Sequence, residues 1–408
     1  MFGRLRKLMV LASVVLLAAC ETTYYKRIDV HEAEQPPALA TASGYLPPDT
    51  DVQLKTGPTA EASRYPVMFG TNRKPQFDAT GKVLIGFSEA RDDYLHFGRV
   101  WVDIPAGHQV GSLGGERGPW FRKEPELKFH SIEPSTDRWS FITMAQQQLA
   151  KVSGAQGSYV VVFIHGFNNG FEDAARRAAQ LGADLEVPPS NMFFFSWPSR
   201  GRTPDYTFDE ATIDASEVHL RSYLQTVIKI ADGRKVHLIA HSMGNRALLR
   251  VISTSTSALG AQGMRFGQII LAAADVDRDL FAQLAPSYLA VSDRTTVYLS
   301  PYDFAVEQSQ LVHNAPRAGC GTAPQVVISG IDNVVSTEPE SFPYHAYFAE
   351  TLPMMRDIKS LILTNTPARN GNGWTSKDGY WLAGPAIQKS KVLCWTRNTV
   401  TVQLGTKN

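Results

Sequence analysis

Residues 235–246 read Lys-Val-His-Leu-Ile-Ala-His-Ser-Met-Gly-Asn-Arg, and they hold the chain's clearest candidate nucleophile, Ser242. Val236 to Ile239 form a short apolar run suited to a buried strand. The period then turns helical, with Ala247, Leu248, Val251 and Ile252 on one face. A serine at a tight turn between strand and helix, with Gly244 two residues on, is the pattern of a nucleophile elbow. Small residues let the backbone turn sharply, so the hydroxyl stands above the sheet edge. The Met243 amide and the helix N-terminus then direct positive charge at an oxyanion beside Ser242. The chemistry implied is acyl transfer through a serine nucleophile. Ala240 stands where a first glycine is usual and is small enough for the turn. Serine beside glycine is also common at plain turns and helix caps, so the motif needs partners.

A second stretch supplies one. Tyr159 to Ile164 is an unbroken run of β-branched and aromatic residues, the signature of a strand buried on both faces. It ends in His165-Gly166-Phe167-Asn168-Asn169, followed at helical spacing by Phe171, Ala174, Ala175 and Ala178. With these two motifs the sequence resembles the α/β-hydrolase fold over roughly residues 65–363. More narrowly, it looks like the esterase- and lipase-like bacterial α/β hydrolases of uncharacterised function. The resemblance implies that the backbone N–H groups of Phe167 and Met243 form an oxyanion hole.

A serine hydroxyl is a poor nucleophile near neutral pH and needs a base. His345 follows the last expected sheet strand, where hydrolases of this type carry the catalytic histidine, and the order Ser, acid, His is kept. His313 is the rival, but it falls at the far end of a helix after Asp303. His165 and His241 flank the pocket in sequence and suit structural or oxyanion-side roles, and His237 lies inside a strand. For the acid, Asp275, Asp277 and Asp303 all follow strands. Asp303 is favoured on topology, Asp275 is the alternative, and Asp277 suits a helix cap. Ester hydrolysis is the expected reaction, on a small-molecule or lipid ester. A thioesterase, amidase or acyltransferase on the same residues stays open, as does a non-catalytic envelope scaffold. No metal or other cofactor is expected, because neither a phosphate-cradling glycine loop nor metal-ligand spacing occurs.

Strands and helices that could position these residues alternate along the chain. Residues 64–74 and 97–105 read as front strands; Arg73 could face the active site from there, but a surface arginine is the more ordinary reading. Residues 106–137, rich in glycine and charge, read as a long loop. A helix over 143–151 precedes the His165 strand, and Met192 to Ser199 reads as another buried strand. Leu220, Leu224, Val227, Ile228 and Ala231 mark an amphipathic helix ended by Asp232-Gly233. Strands over 267–275, 295–303 and 325–329 follow, then a helix over 346–363. This alternation predicts a mostly parallel, doubly wound sheet flanked by helices, with its site at the carboxyl ends of the strands. The expected hydrolase domain spans 64–365. Residues 366–408, glycine-rich with Trp374, Trp381 and Trp395, read as a small β-rich appendage.

The 408 residues carry 40 basic and 39 acidic side chains, a balance that argues against a nucleic-acid partner. The amino terminus is distinctive. Arg4, Arg6 and Lys7 precede a twelve-residue apolar stretch, Leu8 to Ala19, too short to span a bilayer comfortably. It ends Leu-Ala-Ala-Cys20, which resembles the bacterial lipobox. That resemblance implies a signal peptide over 1–19, lipidation of Cys20, and membrane attachment by acyl chains. Glu21 after the cysteine resembles an outer-membrane address, hence the periplasmic face. Residues 20–63, with five prolines and no apolar period, read as a flexible tether. Cys320 and Cys394 could form a disulfide or stay independent.

Overall fold

The computed structural model describes residues 44–115, 124–261, 265–322, 327–338, 345–369, 373–377, 379–388, 392 and 401–402. Three strands open the fold: β1 (Ser63–Phe77), β2 (Leu84–Ile104) and β3 (Lys128–Pro134). Helix α1 (Arg138–Leu149) leads to β4 (Tyr159–Ile164), α2 (Phe171–Asp184) and β5 (Met192–Ser196). Helices α3 (Tyr206–Ala215) and α4 (Glu217–Ala231) deliver the chain to β6 (Lys235–His241) and α5 (Gly244–Ala261). Then come β7 (Phe266–Ala272), α6 (Arg278–Leu284), α7 (Pro286–Val291), β8 (Ser292–Leu299) and α8 (Phe304–His313). The carboxyl-terminal part holds β9 (Val327–Ile328), β10 (Ile331–Ser336), α9 (Tyr347–Glu350), α10 (Leu352–Thr364), β11 (Trp374–Lys377), β12 (Tyr380–Ala383) and β13 (Thr401–Val402).

Among the described residues eleven strands form one sheet in the order β11-β12-β10-β8-β7-β6-β4-β5-β1-β2-β3. From β12 to β1 all neighbours are parallel; β2, β3 and β11 pair antiparallel. Every residue of β4 is buried, and its side chains divide by the period of two. Val160, Val162 and Ile164 join one core with Phe141 of α1, Leu224 of α4 and Ile252 of α5. Val161 and Phe163 join the other with Ala174 and Ala178 of α2 and Ile358 of α10. Helices therefore cover both faces, and continuous apolar strands are the sequence's answer to double burial.

Several expectations are corrected. Lys128–Pro134, placed in a loop, is a strand on β2; its polar, half-exposed residues suit an edge and hide it from a hydrophobicity reading. The strand expected over 325–329 is not the one that completes the main sheet. Within it, Val327–Ile328 pairs with β13 in a separate two-stranded sheet, and β10 lies beside β8 instead. Asp332 and Asn333 disguise β10; Asp332 is paired with Arg294 and Arg369. The helix over 346–363 is two helices, broken at Thr351, with proline in the first turn of the second.

The tether reading is also corrected for residues 44–62, which fold onto the amino edge of the sheet. Tyr45 bonds Asp293 and Gln268, the Leu46 amide donates to Leu363, and Val52 and Leu54 are buried. A few apolar and hydrogen-bonding anchors suffice to pin such a segment without any period. Residues 1–43, with Cys20, lie outside the described residues. At the other end β11 and β12 extend the main sheet beyond β10. Residues 374–377 and 380–383 are thus continuous with the sheet, with Trp374 and Trp381 packed against its core, whereas β13 pairs with β9 apart from it. Trp395 lies outside the described residues. Cys320 is disulfide-bonded; Cys20 and Cys394, the other cysteines, lie outside the described residues.

Candidate active site

Ser242 occupies the turn between β6 and α5 with φ of 52°, left-handed backbone that a non-glycine residue adopts only when its surroundings hold it there. Those surroundings are visible. Its N–H donates to Ala272 O at 2.9 Å, and its carbonyl accepts from the Asn245 and Asp275 amides at 3.1 and 3.2 Å. The Asn245 side-chain amide binds the carbonyls of Ala240, Ser242 and Ala272, tying the elbow to β7. Asn245 was not singled out in the sequence; an asparagine three residues after an elbow serine gives no signal by itself.

The loop after β4 closes on this turn. A Cβ on Gly166 would lie 2.6 Å from Ser242 Cβ, and one on Gly244 would lie 2.6 Å from His165 O. Both glycines are therefore needed for the approach of the two backbones. The amides of Phe167 and Met243 have no hydrogen-bond partner among the described residues. Phe167 packs edge-on against Tyr206 at 5.1 Å, forming one wall beside the loop.

Asp303, fully buried, caps α8 by accepting from the Val306 amide at 2.9 Å. Both its carboxylate oxygens lie 2.8 Å from His345 Nδ1. A carboxylate only accepts, so Nδ1 carries the proton and Nε2 is left with the lone pair that can accept one. Burial lowers the affinity of His345 for a proton, but the Asp303 charge and hydrogen bond, with a smaller contribution from the Asp275 charge, outweigh it, and its pKa is raised. Burial raises that of Asp303, partly offset by His345 and the Val306 amide. His241, immediately before Ser242, donates from Nε2 to His345 O at 3.0 Å and packs on that ring at 4.6 Å. His345 is thereby seated beside the elbow.

The remaining candidates are engaged elsewhere. Asp275 accepts from Tyr206 at 2.5 Å and from Ser309, with Arg317 3.4 Å away. Asp277 caps α6. His313 has its ring nitrogens taken by Ser309 O and Glu210. His165, stacked on Trp197, and His237, inside β6, are each pushed down to about 3 by burial, so both are neutral. Arg73, expected at the surface, is 1% exposed and lies under the Phe167 loop. Among the described residues no cluster of three or more His, Cys, Asp or Glu could hold a metal ion.

A parallel sheet crossed by helices on both faces, with a serine elbow at its carboxyl edge, defines the α/β-hydrolase fold, and the chain has that fold. Residues 142–327 match the model of a family described as alpha/beta hydrolase of unknown function (DUF900). The matched stretch runs from α1 to β9 and includes the Phe167 loop, Ser242 and Asp303, but ends before His345. No curated protein matches the chain.

Proposed function

We propose that this α/β hydrolase cleaves carboxylic esters, with Ser242 as nucleophile, His345 as general base and acid, and Asp303 as the carboxylate that orients the imidazole. The Ser242 hydroxyl adds to the ester carbonyl while His345 Nε2 takes its proton. The Phe167 and Met243 amides hold the oxyanion. Collapse expels the alcohol, protonated by His345, and leaves an acyl-serine. Water, deprotonated by His345, then releases the acid and restores the serine. The observation that carries this proposal is the pairing of half-buried His345 with buried Asp303, seated by His241 next to an elbow serine held at positive φ. A fluorophosphonate probe tests it: the wild type should be labelled at Ser242, and a folded wild type that stays unlabelled removes the proposal.

The enzyme is further proposed to be anchored in the bacterial envelope through lipidated Cys20, at the periplasmic face of the outer membrane. The support is the basic start, the short apolar core and the Leu-Ala-Ala-Cys20 end. Metabolic fatty-acid labelling should mark the wild type and not Cys20→Ser. An unlabelled wild type excludes lipidation.

A further inference from the structure

Arg73, on β1, is a guanidinium at 1% exposure with no carboxylate hydrogen-bonded to it among the described residues. Its donors go to neutral oxygens on residues 196–199, on the Phe167 loop and, at 3.5 Å, on Ser88 of β2. Nε donates to Ser196 Oγ at 2.9 Å, Nη1 to Ser199 O at 2.9 Å, and Nη2 to Asn169 O at 2.8 Å. Burial draws its pKa down to about 9, which still leaves it charged near neutral pH. Burying a cation without a bonded anion is unfavourable unless fixed dipoles replace its water. Here those dipoles come from the end of β5 and the turn after it, and from Asn169 in the loop that carries Phe167.

Two hydrogen-bonded routes lead from this side chain to one carbonyl, Gly166 O. Asn169, whose carbonyl Arg73 holds, donates from Nδ2 to Phe167 O at 2.7 Å and to Gly166 O at 3.3 Å. Ser196 Oγ, which accepts from Arg73, lies 3.3 Å from His165 Nε2, and His165 Nδ1 lies 2.8 Å from Gly166 O. Because the carbonyl only accepts, Nδ1 is the protonated nitrogen and Nε2 accepts from the serine hydroxyl. A trans peptide is planar, with its N–H opposite its C=O. Fixing Gly166 O from behind therefore fixes the direction of the Phe167 N–H.

We infer that Arg73 and Asn169 are positioning residues of the oxyanion hole: the buried guanidinium locks the His165–Asn169 loop so that the Phe167 amide points at the oxyanion of the acyl transfer. This rests on the ester-hydrolase proposal above. Removing a whole oxyanion donor lowers turnover by about 10²–10³, so misaiming one should do somewhat less. Asn169→Ala, Arg73→Met and Arg73→Lys would be compared with wild type on a p-nitrophenyl ester and against a trifluoromethyl ketone, whose serine adduct bears an oxyanion. Asn169→Ala should lower kcat about ten- to a hundredfold with KM little changed. The ketone Ki, measured per titrated active site, should rise by the same factor. Arg73→Lys, which keeps the charge and a donor, should lie nearer wild type than Arg73→Met. Unchanged kcat and Ki in Asn169→Ala overturn the inference, as does a lower thermal midpoint with Ki per site unmoved. A wild type that neither turns over the ester nor takes a fluorophosphonate probe removes the hydrolase proposal, and this inference with it.

Discussion

Two aspartates stand at the carboxyl ends of neighbouring strands, Asp275 after β7 and Asp303 after β8, both buried. They differ in what their oxygens meet. Asp303 receives the His345 ring and one amide of its own helix. Asp275 receives a tyrosine hydroxyl from α3, a serine hydroxyl from α8 and a nearby guanidinium. A carboxylate's task follows from the element that delivers its partner. The segment beyond β10 brings a histidine to β8, whereas α3 folds Tyr206 over β7. The two are also linked, since α8 is capped by Asp303 and its Ser309 binds Asp275. Through Tyr206, Asp275 supports the wall against Phe167. Under the proposed mechanism, one acid serves proton chemistry and the other shape.

The largest effect sets the scale. Ser242→Ala removes the nucleophile and should lower ester turnover by about five to six orders of magnitude. The fold should persist, because alanine adds nothing to the already strained φ. Steady-state rates with probe labelling check it. Asp303→Asn comes next, at about 10⁴-fold in kcat. The amide would present N–H where His345 Nδ1–H now donates, favouring the wrong tautomer or turning the ring away. A turnover loss under tenfold would mean that Asp303 caps α8 and does little else.

Much of this edge was legible in sequence, for definable reasons. The buried strands around Ser242 and before His165 announce themselves because double burial demands continuous apolar runs. The elbow announces itself because close backbone approach demands glycine at 166 and 244. The choice between Asp275 and Asp303 rested on strand order alone, as the two look alike locally; their difference lies in contacts 42 and 69 residues away along the chain. For Arg73 the surface reading outweighs the active-site one because a guanidinium is ordinarily exposed, and nothing nearby in sequence shows that Asn169, Ser196 and Ser199 will surround it. β10 was missed because its aspartate is neutralised by arginines from β8 and from beyond α10.

The pH profile sharpens the contrast between the acids. Only neutral His345 can take the serine proton, so kcat/KM should fall as pH drops through its pKa. With that pKa raised, the acid limb should have its midpoint above the ordinary histidine value of 6.5. In Asp303→Asn the burial that disfavours the imidazolium remains while its principal counter-charge is gone. The midpoint of the residual activity should therefore move down. A limb that stays in place would show that His345 does not depend on Asp303 for its basicity.

The smallest expected effect on rate belongs to Asp275→Asn, and it decides whether the two acids are truly different. The asparagine keeps the shape of the carboxylate. Its oxygen can still accept from Tyr206, and its NH₂ can donate to the Ser309 hydroxyl, which turns to suit. What disappears is the charge opposite Arg317, a side chain 4% exposed. Losing a charge-assisted contact of this kind, with the cation still buried, destabilises by about 1–3 kcal/mol. The thermal midpoint should thus fall by a few degrees while kcat stays within about threefold of wild type, because the His345–Asp303 hydrogen bond is kept and only a secondary charge acting on that pair is lost. The tyrosine tests the same point from the other side. Tyr206→Phe keeps the ring against Phe167 and deletes only the hydroxyl, so it too should lose stability before activity. A hundredfold fall in kcat for Asp275→Asn, with Asp303→Asn still active, would reverse the comparison and place the working acid at the end of β7.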